Sequence, residues 1–242
     1  MKTTIRLLAF ILSIASFGQV KEKDLDQLKF VTTTSEDGIE TDGFSLNGSL
    51  IGPTRSVYPD GMIVYTYYNE EGFGEGFQMG EIPYTGEQIL QEMKDGKVHG
   101  NAFKLTGNQL DYAQSYKNGE INKVMEIPYT SKSSNRERCI GNCINGFGAF
   151  AAQDEQIVMG YFWAEQPQTP IIHTFKSGSM YKGAMNKWER DGFGKYQYAN
   201  DGSYYVGMWK NNKREGLGIW YNKDGSIKKQ GFFKKDELVR SL

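Results

Sequence analysis

Cysteine and histidine are scarce: the 242 residues include two of each. A closed zinc site needs about four such ligands, and Cys139 and Cys143 lie far in sequence from His99 and His173. A Ser-His or Cys-His nucleophilic pair has equally few candidates, and neither histidine has a partner at motif spacing. The chain has no His-Glu-x-x-His, no Gly-x-Ser-x-Gly and no Cys-x-x-Cys. Gly72-Phe73-Gly74 and Gly192-Phe193-Gly194 are fragments of a phosphate-loop pattern, without the strand-to-helix setting or the following Lys-Ser/Thr that phosphate binding needs. Helical periodicity is weak, so an all-β chain is expected, and not an enzyme: no catalytic residue, metal or cofactor.

Long apolar runs are also missing. The longest, Leu7–Phe17, has eleven residues, and a membrane-spanning helix needs about 20. It follows Lys2 and Arg6, and the small residues Ser16 and Gly18 lie at its end. That layout predicts a signal peptide over 1–18, a mature start near Gln19, and an exported protein. The ending Ser-Phe-Gly-Gln resembles bacterial export signals, so the periplasm, the outer membrane or the exterior is the expected location. In an oxidising compartment, Cys139 and Cys143 are candidates for a short disulfide, with the chain turning at Ile140-Gly141-Asn142.

Charge is balanced in total and divided along the chain. Gln19–Phe175 has 12 basic and 22 acidic residues, whereas Lys176–Leu242 has 14 basic and 7 acidic. Opposite halves of this kind can steer different surfaces of a partner, or each other.

What the chain does have is glycine, 29 residues, and 33 aromatic residues. Their spacing is regular. Gly183, Gly207 and Gly231 lie 24 apart, as do Gly192/Gly194 and Gly216/Gly218. The period is one β-hairpin. In the strand from Tyr204, alternation puts Tyr205, Gly207 and Trp209 on one face; in the next, Gly216, Gly218 and Trp220 share a face. Glycine beside a large ring leaves room for the ring to lie on the backbone. Asn-Asp-Gly-Ser (200–203) and Lys-Asp-Gly-Ser (223–226) join successive hairpins. No hairpin buries its own apolar face, so neighbours must stack.

The segments MYKGAMNKWERDGFGKYQYANDGS and YYVGMWKNNKREGLGIWYNKDGS resemble the MORN repeat. Its pattern is Tyr-x-Gly-x-Trp, a basic polar turn, Gly-x-Gly, an aromatic, then Asp-Gly. Tyr181, Gly183, Gly192 and Gly194 of one copy match it, and so do Tyr205, Gly207, Trp209, Gly216, Gly218 and Trp220 of the next; the first departs at Met185, where Trp is usual. Gly231 opens a shortened copy that reads as a C-terminal cap. Residues 139–163 resemble another copy, in which a Cys139–Cys143 bridge would clamp the turn. Residues 44–130 match only partly, with EIPYT at 81–85 and again at 126–130. The expected organisation is a signal peptide (1–18), a polar acidic linker or edge (19–43), degenerate hairpin repeats (44–130), and a MORN block with its cap (131–242). The resemblance implies an elongated, twisted antiparallel sheet of consecutive hairpins; six or seven repeats would form a ribbon on the order of 60–70 Å long.

The leading functional expectation is an exported scaffold for protein contacts in the cell envelope. The alternative is peripheral binding to anionic lipid or lipopolysaccharide. That reading rests on Lys182, Lys187, Arg190, Lys210, Lys213, Arg214, Lys228, Lys229, Lys234 and Lys235, interleaved with Trp188 and Trp209. No nucleic-acid partner is expected.

Overall fold

The computed structural model describes residues 24–107, 109–125, 139–152 and 154–242. The predicted signal peptide and the second EIPYT lie outside the described residues. The described chain is a succession of antiparallel hairpins, as the repeat pattern predicts, but it forms two sheets and not one ribbon. The first has nine strands in chain order, β1 (Lys29–Thr34), β2 (Glu40–Leu46), β3 (Ser49–Val57), β4 (Ile63–Tyr68), β5 (Gly76–Ile82), β6 (Glu87–Lys94), β7 (Lys97–Thr106), β8 (Gln109–Lys117) and β9 (Glu120–Val124). The second has ten: β10 (Cys139–Gly141), β11 (Gly146–Ala151), β12 (Ile157–Trp163), β13 (Gln166–Thr174), β14 (Met180–Asn186), β15 (Glu189–Gln197), β16 (Tyr204–Lys210), β17 (Lys213–Tyr221), β18 (Ile227–Lys234) and β19 (Glu237–Ser241).

Turn chemistry fixes this meander. Among the described residues, seven hairpin tips are two-residue turns with both residues at positive φ: Asn47–Gly48, Asp95–Gly96, Asn118–Gly119, Ala164–Glu165, Lys187–Trp188, Asn211–Asn212 and Lys235–Asp236. This mirror-image turn matches the twist of the flanking strands, and Asn, Asp and Gly tolerate it best. The Asp-Gly pairs at 60–61, 201–202 and 224–225 make longer connections. There Asp60, Asp201 and Asp224 each accept the backbone N–H two residues on.

The two sheets pack face to face, and the second runs back along the first. β3 lies opposite β16 and β17, β5 opposite β14 and β15, and β6 and β7 opposite β13. At the open end, Arg240 pairs with Asp26 at 2.7 Å. The expected single ribbon is corrected here for a physical reason. Each sheet has an apolar inner face that an open ribbon would leave wet; folding the sheets together covers both. Phe44, Tyr67, Phe77, Met79, Leu90 and Phe103 of the first sheet thus share a core with Phe147, Phe193, Val206, Leu217, Ile219 and Tyr221 of the second. Phe103 meets Phe147 edge-on at 5.1 Å, and Phe193 meets Tyr67 and Phe77 at 5.9 and 6.0 Å. The described part of the acidic stretch 19–43, expected as a linker or edge, supplies β1, an edge strand, and the first residues of β2.

Candidate functional site

Alternation along the second sheet sends one set of side chains inward and leaves an outer face of glycine and aromatic rings. A glycine ladder crosses this face. Gly148 pairs with Gly160, which pairs with Ile171; beyond Ile171 follow Gly183, Gly194, Gly207, Gly218 and Gly231, each opposite the next. The ladder is a trough in which tyrosine lies flat. A Cβ on Gly194 would meet Tyr181 Cζ at 2.6 Å, and one on Gly207 would meet Tyr205 Cζ at the same distance. The phenols bond locally: Tyr181 donates to the Ala184 carbonyl at 2.7 Å and Tyr205 to that of Met208 at 3.3 Å. Burial pushes both hydroxyls far above the ordinary phenol range. Trp209 closes edge-on over Tyr181 and Tyr205 and donates its indole N–H to the Gly194 carbonyl at 3.4 Å.

Two arginines complete the layer. Arg190 stacks over Trp209 at 4.4 Å and Tyr196 at 5.0 Å. Its guanidinium donates to the carbonyl of Asn212, in the tip of the following hairpin, at 2.8 Å. One repeat on, Arg214 stacks over Trp220 at 4.5 Å and donates to the Asp236 carbonyl at 2.8 Å. Each arginine is a clip between successive repeats.

Outside this closed layer lies a band of half-buried rings. His173 stacks on Phe175 at 4.0 Å, Phe175 contacts Tyr196, Tyr196 contacts Tyr198, and Tyr198 stacks on Trp220 at 5.2 Å and 14°. The band reaches solvent across β13, β15 and β17. Burial, then the Arg190 charge, pulls His173 down to about 4, so the imidazole is neutral near pH 7. It bonds to Gln156 at 2.7 Å. The outer face of the first sheet is different. It carries a polar ladder, in which the Thr54 hydroxyl bonds the Thr66 carbonyl, Gln78 bonds the Thr66 hydroxyl at 2.9 Å, and Gln91 bonds Gln78 at 2.6 Å.

The basic residues singled out in the sequence fall in different surroundings. Lys182 points between the sheets, where Glu81 of the first sheet holds it at 2.7 Å and its strand neighbour Lys195 at 2.6 Å. Burial alone would raise the Glu81 carboxyl; the two ammonium groups outweigh it and hold the group at about 2. Arg190 and Arg214 are the clips. Lys210 pairs with Asp191 at 2.9 Å, and Lys228 lies near Asp201 and over Trp220. Lys187, Lys213, Lys229, Lys234 and Lys235 are exposed. Most of these stand at hairpin tips among Glu189, Glu215, Asp236 and Glu237. Sequence spacing could not show this, because face and pairing depend on the opposite sheet.

Cys139 and Cys143 are joined by a disulfide with Cα atoms 6.2 Å apart, and both are buried against Val158 and Phe162, with Phe150 and Trp188 alongside. Among the described residues, no group of three or more His, Cys, Asp or Glu side chains is placed to hold a metal, and no helix is long and apolar enough to cross a membrane. Sequence reasoning missed Phe175, Tyr196, Tyr198 and Lys195. Tyr196 and Tyr198 were legible as alternation continuing from Gly194, and Phe175 as alternation continuing from Ile171 and His173; the buried lysine had no signal.

A family model for the MORN repeat matches residues 189–203 and 205–227. No curated protein matches the chain. Among solved structures, the SAS-4 (dCPAP) TCP domain of Drosophila melanogaster, in complex with a proline rich motif of Ana2 (dSTIL), is 14% identical, with a TM-score of 0.20 over 85% of this chain and 90% of that one. The wild-type TCP10 domain of Danio rerio CPAP is 13% identical, with a TM-score of 0.20 over 85% of this chain and all of that one.

Proposed function

We propose that this chain, whose MORN repeats span residues 189–203 and 205–227, is a non-enzymatic exported scaffold that docks a protein segment across the outer face of its second sheet. MORN repeats serve generally as protein- or membrane-binding scaffolds. The observation that carries the protein reading is the half-buried band of Phe175, Tyr196, Tyr198 and Trp220 beside the stacked guanidiniums of Arg190 and Arg214. Rigid aromatic rings with arginine are the composition of contact hot spots. A membrane surface asks for something else: several cations facing one way, each contributing about 1 kcal/mol. Here the lysines are paired, buried or mixed with carboxylates.

The test uses the mature chain as bait in envelope extract, beside a Tyr198→Ala/Trp220→Ala variant and a Lys229→Ala/Lys234→Ala/Lys235→Ala variant. Flotation with anionic and neutral vesicles runs in parallel. The expected result is a specific protein captured by wild type and the lysine variant and lost from the aromatic variant. Salt-sensitive flotation that is lost from the lysine variant would replace the protein reading with the lipid one. Placement in the envelope rests on the N-terminal sequence alone. N-terminal sequencing is expected to show a start near Gln19; a cytosolic protein retaining Met1 would remove the envelope from the proposal.

A further inference from the structure

Two stacked sheets that do not close into a barrel leave four edge strands among the described residues, β1, β9, β10 and β19. An open edge presents unpaired N–H and C=O groups, and folded proteins blunt it with bulges, charges, brevity or cover. Three of these edges are blunted. β9 pairs with β8 through a shift in register at Ser115/Tyr116 and carries Glu120 and Lys123. β10 has three residues, and the chain beyond it is tied back by the disulfide. β19 pairs with β18 through a shift at Phe232/Phe233, and its Arg240 is drawn to Asp26.

β1 has none of these devices. It pairs with β2 over six consecutive residues, Lys29–Thr34, with no shift. Its sequence KFVTTT has one charge, at the start, no proline and no glycine, and is rich in β-branched residues. The hairpin fixes the direction of its backbone groups. Ser35 donates its N–H to the Ile39 carbonyl at 3.0 Å, so by alternation Thr33, Val31 and Lys29 bond towards β2. The N–H and C=O groups of Phe30, Thr32 and Thr34 therefore point out of the sheet, and among the described residues no strand takes them up.

We propose that β1 is a self-association edge, on which a second copy of this chain pairs antiparallel about a two-fold axis at Thr32. Only groups that point outward on both copies can bond, so Phe30, Thr32 and Thr34 must face one another across the axis. The register centred on Thr32 sets them against Thr34, Thr32 and Phe30 of the second copy. Val31 then stands against Thr33 of the second copy, a favourable β-branched pair. Charge selects the same partner. Lys29 comes opposite Ser35 of the second copy, beside Glu36 and Asp37, and all of these are exposed. The two-fold axis makes this contact of opposite charges twice. The association does not depend on the binding face proposed above and uses none of its residues, so a dimer carries that face in two copies.

The test is sedimentation velocity of the mature chain over a wide concentration range, for wild type, Thr34→Pro, Lys29→Glu and Lys29→Glu/Glu36→Lys/Asp37→Lys. Proline at Thr34 removes a donor that β2 does not use, so the unfolding midpoint of that variant, read in parallel, is expected to stay near that of wild type. Wild type is expected to show a monomer–dimer equilibrium. Thr34→Pro should abolish it, Lys29→Glu should weaken it about tenfold because the contact occurs twice, and the charge-swapped variant should restore it. Amide exchange at Phe30, Thr32 and Thr34 should slow as concentration rises. A monomer at every concentration, a dimer indifferent to both Thr34→Pro and Lys29→Glu, or growth past two copies would overturn the proposal. If Thr34→Pro does not fold, exchange at Phe30, Thr32 and Thr34 that ignores concentration in wild type would do the same.

Discussion

The ring of Tyr205 occupies the space that a side chain at Gly207 would need: an added Cβ would lie 2.6 Å from Cζ of the phenol and 2.7 Å from the Gly218 backbone. The obstacle is a buried ring and a paired backbone, with no flexible chain end that could swing away. Gly207→Val is therefore expected to destabilise the second sheet by more than the ~1–3 kcal/mol of ordinary overpacking. Lys213→Ala, at an exposed tip, should stay within about ±0.5 kcal/mol. Denaturant unfolding of the two variants checks this. Equal midpoints would mean that the glycine ladder is not a packing feature.

Glu81 ties β5 to β14 and β15 through Lys182 and Lys195. Glu81→Gln would leave two buried ammonium groups without their counter-charge, a change that costs ~3–5 kcal/mol. Acid should act in the same direction. The folded carboxyl lies at about 2 against an ordinary 4.5. Its contribution is thus complete above the ordinary value and is lost as pH falls towards 2, with a total of about 3 kcal/mol. Unfolding from pH 6 down to 2.5 should show wild type converging on Glu81→Gln. A constant gap between the two curves would assign the stability to packing and not to charge.

Arg214 makes its bonds to the Asp236 turn with a planar fork while stacked on Trp220. Lysine has neither the fork nor the flat face. Arg214→Lys is expected to cost about 1–3 kcal/mol, the range for bonds from a charged donor. Exchange should rise at the Lys235–Asp236 tip more than at Asn211–Asn212, which Arg190 holds. Uniform loss of protection over both tips would show that the clips do not act repeat by repeat.

The sequence by itself determined the unit. A spacing of 24 between glycines, tyrosine two residues before them and turn-forming pairs between strands dictate consecutive hairpins, because alternation is local and mirror-image turns demand particular residues. The face that Tyr205, Gly207 and Trp209 share follows from alternation alone. Only the tertiary structure decided which faces are covered. Lys182 and Lys187 look alike in the sequence, yet one is buried against Glu81, 101 residues away, and the other stands exposed at a turn. Arg190 reads as a surface cation until the next hairpin tip is brought beneath it. Doubling the hairpin array back on itself is a long-range event. It is driven by apolar area on two sheets, and the pairing of strand with strand that the period encodes carries no record of it.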